Sequence, residues 1–405
     1  MSVIDMVFEG GGAKGMVFVG AIHELMKDGT HSTGRLLGTS AGAITAALLA
    51  AHYTPDEMLV ALAETDDKDK PIFESFLGTP GPFDAEIVRK SVMRRFLDEV
   101  NIPFVPDFAE SRIDGWIAEK MAAGGWSRNL FSFVEQGGWF SADAFVKWMT
   151  RKLNEGEVNG VPRAFGGMTL AQMHAASGKE MTLVAADTTA KRVLLLNHRT
   201  APDCPVVWAT RMSMSIPFVW QEVIWQKEWG TYKGEEITGS VIVDGGMLSN
   251  FPIALFLSAR PEVGDVVGPP KTRNVLGMLI DDTLDVPDLP ARAGAGGGLL
   301  AFAGQLRTAQ RLGGLLGTMM SAHDNMAIAV FSKHVVHLPA RGIGTTQFDM
   351  TNEERNALVD AGRVAMRDFL AQQTVLEGLG GGPDFSAPPD SVSLADKAAL
   401  EYLKH

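Results

Sequence analysis

Short apolar runs alternate with helical-period stretches from the first residues onward. Val3, Ile4, Met6, Val7 and Phe8 are packed densely enough into residues 3–8 to predict a buried strand. Val17, Phe18, Ala21, Ile22, Leu25 and Met26 then recur at helical spacing, and Gly29 ends that run. Leu36 and Leu37 predict a second strand, and the apolar residues 43–51 a second helix. Two strand–turn–helix units in the first 51 residues imply a parallel sheet flanked by helices. Strand patterns return at 181–186, 193–197, 241–243 and 275–280, and a closing helix is expected over 353–373.

Between about 66 and 162 the pattern is irregular, with a charged helix expected at 84–100 and several aromatics, and reads as a cap or insertion around the mouth of a site. Residues 1–375 therefore read as one α/β catalytic domain with that insertion. Residues 294–317 are glycine-rich and apolar, followed by Met319 and Met320, and suit either a flap or a tightly packed helix. The stretch 376–405 carries a Gly/Pro-rich linker and reads as a flexible tail with a short helix at 395–403. No internal repeat is evident.

Composition narrows the class. Of 405 residues, 46% are hydrophobic and 21% charged, which excludes a disordered or collagen-like chain. A net charge of −12 argues against a nucleic-acid partner, which calls for a basic surface. The single cysteine, Cys204, rules out an intrachain disulfide and any zinc site built on two thiolates. Residues 1–5 lack a cationic start and apolar core, so no signal peptide is expected, and the apolar stretch 41–51 is too short to span a bilayer. The expectation is a cytoplasmic protein without a transmembrane segment, peripheral at membranes if it meets them.

Three glycine-punctuated segments carry the chemistry. Gly10, Gly11, Gly12, Ala13, Lys14 and Gly15 lie between a strand and a helix, where bare amides and the helix's positive end suit an oxyanion or phosphate. Gly10, Gly12 and Gly15 also fit the dinucleotide spacing, but no carboxylate follows the second strand until Asp56, and the order after Lys14 is wrong for an ATPase phosphate loop. Alone, the loop reads equally well as a turn that lets helix and strand approach. Gly38, Thr39, Ser40, Ala41 and Gly42 form a Gly-x-Ser-x-Gly elbow, with the Ala41 N–H as a natural oxyanion donor; alone, this is also a turn with a capping serine. Asp244, Gly245 and Gly246 follow the apolar run 241–243 and place a carboxylate at the carboxyl end of what reads as a buried parallel strand; alone, they make an ordinary Asp-Gly turn.

Together, a glycine loop at 10–15, a Gly-x-Ser-x-Gly elbow and a late Asp-Gly-Gly resemble the patatin-like phospholipase family, over about residues 3–252. The resemblance implies a three-layer α/β/α sandwich with a mostly parallel sheet, and hydrolysis of lipid acyl esters by a Ser–Asp dyad without metal or cofactor. It implies Ser40 as nucleophile, Asp244 as base and Gly10, Gly11 and Gly12 as the oxyanion loop. Lys14 stands at a basic position often occupied by Arg, and Gly246 where Ala is also common. The implied partners are lipid acyl esters, phospholipids at a membrane surface foremost. Residues 211–217 (Arg-Met-Ser-Met-Ser-Ile-Pro) look like the family's supporting stretch before the last motif. Other readings stay open: a Ser–Asp–His triad drawing on His323, His334, His337 or His405, and a non-catalytic lipid- or nucleotide-binding protein. Trp220, Trp225 and Trp229, with Trp116, Trp126, Trp139 and Trp148, suit an acyl groove or an interface as well as a core. Arg89, Lys90, Arg94 and Arg95 form a basic cluster that suits lipid phosphates or a solvated helix face.

Overall fold

The computed structural model describes residues 2–93, 125–272, 274–289, 331–376 and 389–403. Its centre is an eight-stranded sheet: β1 (Ser2–Phe8), β2 (His31–Thr39), β3 (Met181–Asp187), β4 (Arg192–Leu196), β5 (Val223–Ile224), β6 (Val241–Asp244), β7 (Val275–Asp285) and β8 (Val335–Arg341). The strand order is β8-β7-β1-β2-β3-β6-β5, with β4 also paired to β3. Four pairings are parallel (β1 with β2 and β7, β7 with β8, β2 with β3) and three antiparallel (β3 with β6 and β4, β6 with β5). The helices used below are α1 (Met16–Met26), α2 (Ala41–Ala50), α3 (Pro55–Leu62), α4 (Ala85–Lys90), α5 (Gly125–Glu135), α6 (Asp143–Lys152), α7 (Val206–Ser213), α8 (Asn352–Leu376) and α9 (Pro389–Glu401).

Alternation along β1 divides the core. Ile4, Met6 and Phe8 face α1, α2 and α8, whereas Val7, with Leu37, Val184 and Leu195, faces the chain at Phe251–Leu257 and α9. The expected α/β/α sandwich with its mostly parallel sheet is the fold observed. On the second face the Asp5–Arg35 pair is fully buried, and Arg35 donates to both Asp5 oxygens at 2.7 Å and to the Gly268 and Phe256 carbonyls. Every charged atom there is satisfied, which a buried pair requires. Helix α8 lies against α1 with backbone in close approach: a Cβ on Gly20 would meet the Val359 carbonyl oxygen at 1.8 Å.

Several elements differ from the sequence expectation. The strand ending at Asp244 is antiparallel to β3, not parallel, because β6 reaches the sheet from the far side after the long excursion through α7 and β5. Strands β5 and β8 were not expected; β8 carries His337 and Pro339 and pairs only along β7, where an edge tolerates them. The terminal helix begins at Pro389 and is docked, not loose: Ala395 and Ala399 are buried, and Asp396 accepts hydrogen bonds from Ser258 Oγ at 2.6 Å and Ala259 N–H at 2.9 Å. In the insertion, α4, α5 and α6 are helical as expected, but α4 occupies only part of the predicted 84–100 helix among the described residues. The stretch 294–320, the linker 377–388, Arg94, Arg95, Trp116, His323 and His405 lie outside the described residues. No helix among the described residues is long and apolar enough to cross a membrane.

Candidate active site

Register brings the two candidate side chains together. Thr39, the last residue of β2, pairs with Val184 of β3; Asp244, the last residue of β6, pairs with Ala185. β2 and β6 thus run toward each other along one edge of β3 and end at consecutive positions. Ser40 follows Thr39 at a sharp elbow with φ 54° and ψ −118°, a strained conformation for any residue with a Cβ. The elbow closes because Gly42 packs on β1: a Cβ there would lie 2.4 Å from the Phe8 carbonyl oxygen. The Ser40 N–H donates to Ser213 Oγ at 3.0 Å, and that hydroxyl donates to the Val184 carbonyl at 2.5 Å.

Asp244 is buried. Its Oδ1 accepts the Gly246 N–H at 2.8 Å and its own N–H donates to the Ser215 carbonyl at 2.9 Å. Burial pushes its pKa up to about 7, opposed in part by the Gly246 N–H and by the Ser40 hydroxyl, which therefore sits close to the carboxylate. Oδ2 is enclosed and forms no completed hydrogen bond among the described residues. Catalytic contacts of this kind are commonly long before substrate binds. Behind the pair, buried Arg211 holds the Ser215 hydroxyl and donates to the Gln221 carbonyl at 2.7 Å, while desolvation draws its pKa down to about 10. Residues 211–217 thus brace both candidates, through Ser213 on one side and Ser215 on the other.

The glycine loop divides into engaged and open amides. Gly10 donates its N–H to the Asn250 carbonyl at 3.2 Å, so it is not an open donor, contrary to expectation. Ala13 donates to Thr345 O at 2.8 Å and Lys14 to Gly11 O at 3.2 Å. Among the described residues the N–H groups of Gly11 and Gly12 have no acceptor, and Ala41 opens α2 with the unpaired N–H that helix starts leave. Gly12 adopts φ +56°, which favours glycine. Gly15 allows this loop to press on the elbow: a Cβ would come within 2.4 Å of that of Ala41. Lys14 is directed elsewhere, its buried Nζ bound to Asp282 of β7 at 2.6 and 2.7 Å. Gly38 and Gly245 are likewise confined, Gly38 against Gly42 within the elbow and Gly245 against the Val184 carbonyl.

A cavity of about 700 Å³, its open mouth included, reaches Ser40. Ala41, Ile44, Thr45 and Leu48 give it one face of α2, at positions that share a helical side. Met58 of α3, Phe73, Phe76, Trp148, Trp220 and Phe348 continue a nearly wholly apolar lining. Phe73, Phe76 and Trp148 come from the expected insertion. Trp220 also donates its Nε1–H to the Phe76 carbonyl at 2.9 Å, whereas Trp225 and Trp229 are core residues packed against each other, and Trp126 is exposed.

No histidine among the described residues hydrogen-bonds Ser40 or Asp244. His334 is buried on the Val275 carbonyl at 3.1 Å, and His337 contacts Asp281 at 2.9 Å. One His/carboxylate group, His174, Glu180 and His198, draws its ligand atoms within 4.8 Å of one another, but Arg199 holds both Glu180 oxygens and the two imidazoles are stacked. Arg89 and Lys90 sit exposed at the end of α4, with Lys90 paired to Glu86. Sequence reasoning missed Glu9 and Asn250, which fasten the glycine loop; neither belongs to a glycine motif.

An α/β sheet with a strained serine elbow beside a buried carboxylate, under glycine-loop amides and an apolar cavity, defines the class. The chain belongs to the patatin-like phospholipase family, whose model matches residues 6–257, more than half of its length. It is similar to YqhO of Bacillus subtilis (strain 168), 27% identical over 381 residues that cover 92% of this chain and 99% of that one. Among solved structures it is similar to VipD from Legionella pneumophila (16% identity, TM-score 0.43, covering 91% of this chain and 67% of that one). It is also similar to the type III effector ExoU (17% identity, TM-score 0.37, covering 100% of this chain and 61% of that one).

Proposed function

We propose that this chain is a serine hydrolase of lipid acyl esters, a carboxylic ester hydrolase working through a Ser40–Asp244 dyad. The observation that carries this reading is the strained Ser40 elbow facing a buried carboxylate at the end of an apolar cavity. Asp244 accepts the Ser40 proton as Oγ bonds to the ester carbonyl carbon. The carbonyl oxygen becomes an oxyanion, met by the amides of Gly11, Gly12 and Ala41. Collapse breaks the ester C–O bond, and the leaving alcohol takes the proton from Asp244. A water molecule then adds to the acyl-enzyme by the same route and releases the fatty acid and free Ser40. A carboxylate is a weak base for a hydroxyl, so desolvation matters: it raises the affinity of Asp244 for the proton. The oxyanion donors supply the larger share, each worth roughly 3–4 kcal/mol in the transition state.

The cavity takes the acyl chain, whose apolar burial offsets the cost of lifting it from a membrane or micelle. Phospholipids at a membrane surface are the favoured substrates, and the enzyme is peripheral and cytoplasmic. The dyad is preferred to a triad because no described histidine reaches either member. Mass spectrometry of products from mixed lipids, with fluorophosphonate labelling, tests the proposal. Wild type should release fatty acids and take the label on Ser40, and Ser40→Ala and Asp244→Asn should each lose about 10⁴-fold or more in rate. Labelling elsewhere, or Ser40→Ala turning over at the wild-type rate, overturns it.

A further inference from the structure

We infer that Asn250 is the positioning residue that aims the oxyanion-binding amide of Gly11; this rests on the acyl-hydrolase reading above. Asn250 holds the Gly10 residue from both sides. Its carbonyl accepts the Gly10 N–H at 3.2 Å, and its side-chain Nδ2 donates to the Gly10 carbonyl at 3.0 Å. The same Nδ2 donates to Glu9 Oε1 at 3.1 Å, and Glu9 Oε2 accepts the Ile280 N–H of β7 at 2.6 Å. The clasp is thereby tied to the sheet.

The Gly10–Gly11 peptide is trans, so its C=O and N–H point in opposite directions. Drawing the Gly10 oxygen toward Asn250 turns the Gly11 N–H away from it, and that N–H is one of the two loop amides left without an acceptor. Without the clasp this peptide has little to hold it. A flip changes only ψ of Gly10 and φ of Gly11, both glycines and free of Cβ restrictions. The flipped peptide would aim a carbonyl oxygen where the oxyanion forms, so a donor would become a repulsive acceptor. Gly10 lies close to the nucleophile, since a Cβ on it would stand 3.1 Å from Ser40 Cβ, so the consequence falls on the reacting centre.

The test is kinetic, on the full chain, with a p-nitrophenyl ester. Asn250→Ala should lower kcat by about 10²–10³-fold, the scale of losing an oxyanion donor, while KM stays within about 3-fold. Affinity for an alkyl trifluoromethyl ketone, which must form an oxyanion on Ser40, should fall in parallel, and affinity for the matching alkyl alcohol should not. The pH midpoint of kcat/KM should stay at the wild-type value, because Asp244 is untouched. If Asn250→Ala does not fold, Asn250→Leu nearly keeps the volume, removes the donor without adding a charge and carries the same test. Wild-type-like kcat in a folded variant, or a fall in kcat accompanied by a rise in KM and loss of both affinities, overturns the inference. A wild type that neither turns over ester nor takes a fluorophosphonate label overturns the function it rests on instead.

Discussion

At the scale of the residue, the buried Asp244 gives the proposed reaction its pH response. Its pKa is about 7 in the folded protein against an ordinary carboxylate value in the unfolded chain, because burial disfavours the charge. As the proposed base it must be ionised, so kcat/KM should rise with pH through about 7 and level above it; a midpoint near the ordinary carboxylate value would contradict this. Stability runs the other way. Between the unfolded and folded pKa values the folded state holds a proton that the unfolded state has released, so stability falls as pH rises across that window. The loss is complete above about 7. Asp244→Asn should therefore be inactive yet more stable than wild type at pH 8, by on the order of a few kcal/mol, with the difference shrinking toward pH 4 in urea titrations. Ser40 and Asp244 stand out in the sequence as candidates because each lies inside a local glycine pattern. Asn250 was not: its partner Gly10 is 240 positions away, and no spacing rule links them.

At the scale of the element, the Ser40 elbow is held in shape by packing on β1. Gly42→Ala would drive a methyl group to 2.4 Å from the Phe8 carbonyl oxygen, a backbone neighbour at the carboxyl end of β1 that pairs with Gly38 of β2 and Met278 of β7. We expect a loss of about 1–3 kcal/mol and a displaced Ser40, seen as a lower urea midpoint together with slower fluorophosphonate labelling. Gly167→Ala, where a Cβ would meet nothing within 4 Å, should change neither. The strands and helices nearest the amino terminus were legible because their apolar periods are strong. The direction of β6 was not, since a four-residue run buried on both faces contains no signal for parallel or antiparallel pairing. Residues 218–240 hold the chain that reverses it, and their composition does not reveal where they lead.

At the scale of the whole molecule, the sheet is covered by two unequal layers. One side holds the glycine loop, the cavity and α8. The other is finished by α9, the last described helix, and by Tyr402 just after it, whose hydroxyl lies 2.9 Å from Ser249 Oγ. A Gly/Pro-rich approach made this helix read as a free tail, yet its buried alanines close an apolar layer. Truncation before Pro389 should lower the thermal midpoint and raise binding of a hydrophobic dye; an unchanged midpoint would show that the layer is complete without it.

Two opposed strands stopping at adjacent rungs of a third make β3 a ruler. The gap between Ser40 and Asp244 is graduated in single residues, not by the drape of a loop. Inserting one residue between Val184 and Ala185 would therefore move Ser40 and Asp244 apart by one strand step, and deleting one there would drive the two strand ends into each other.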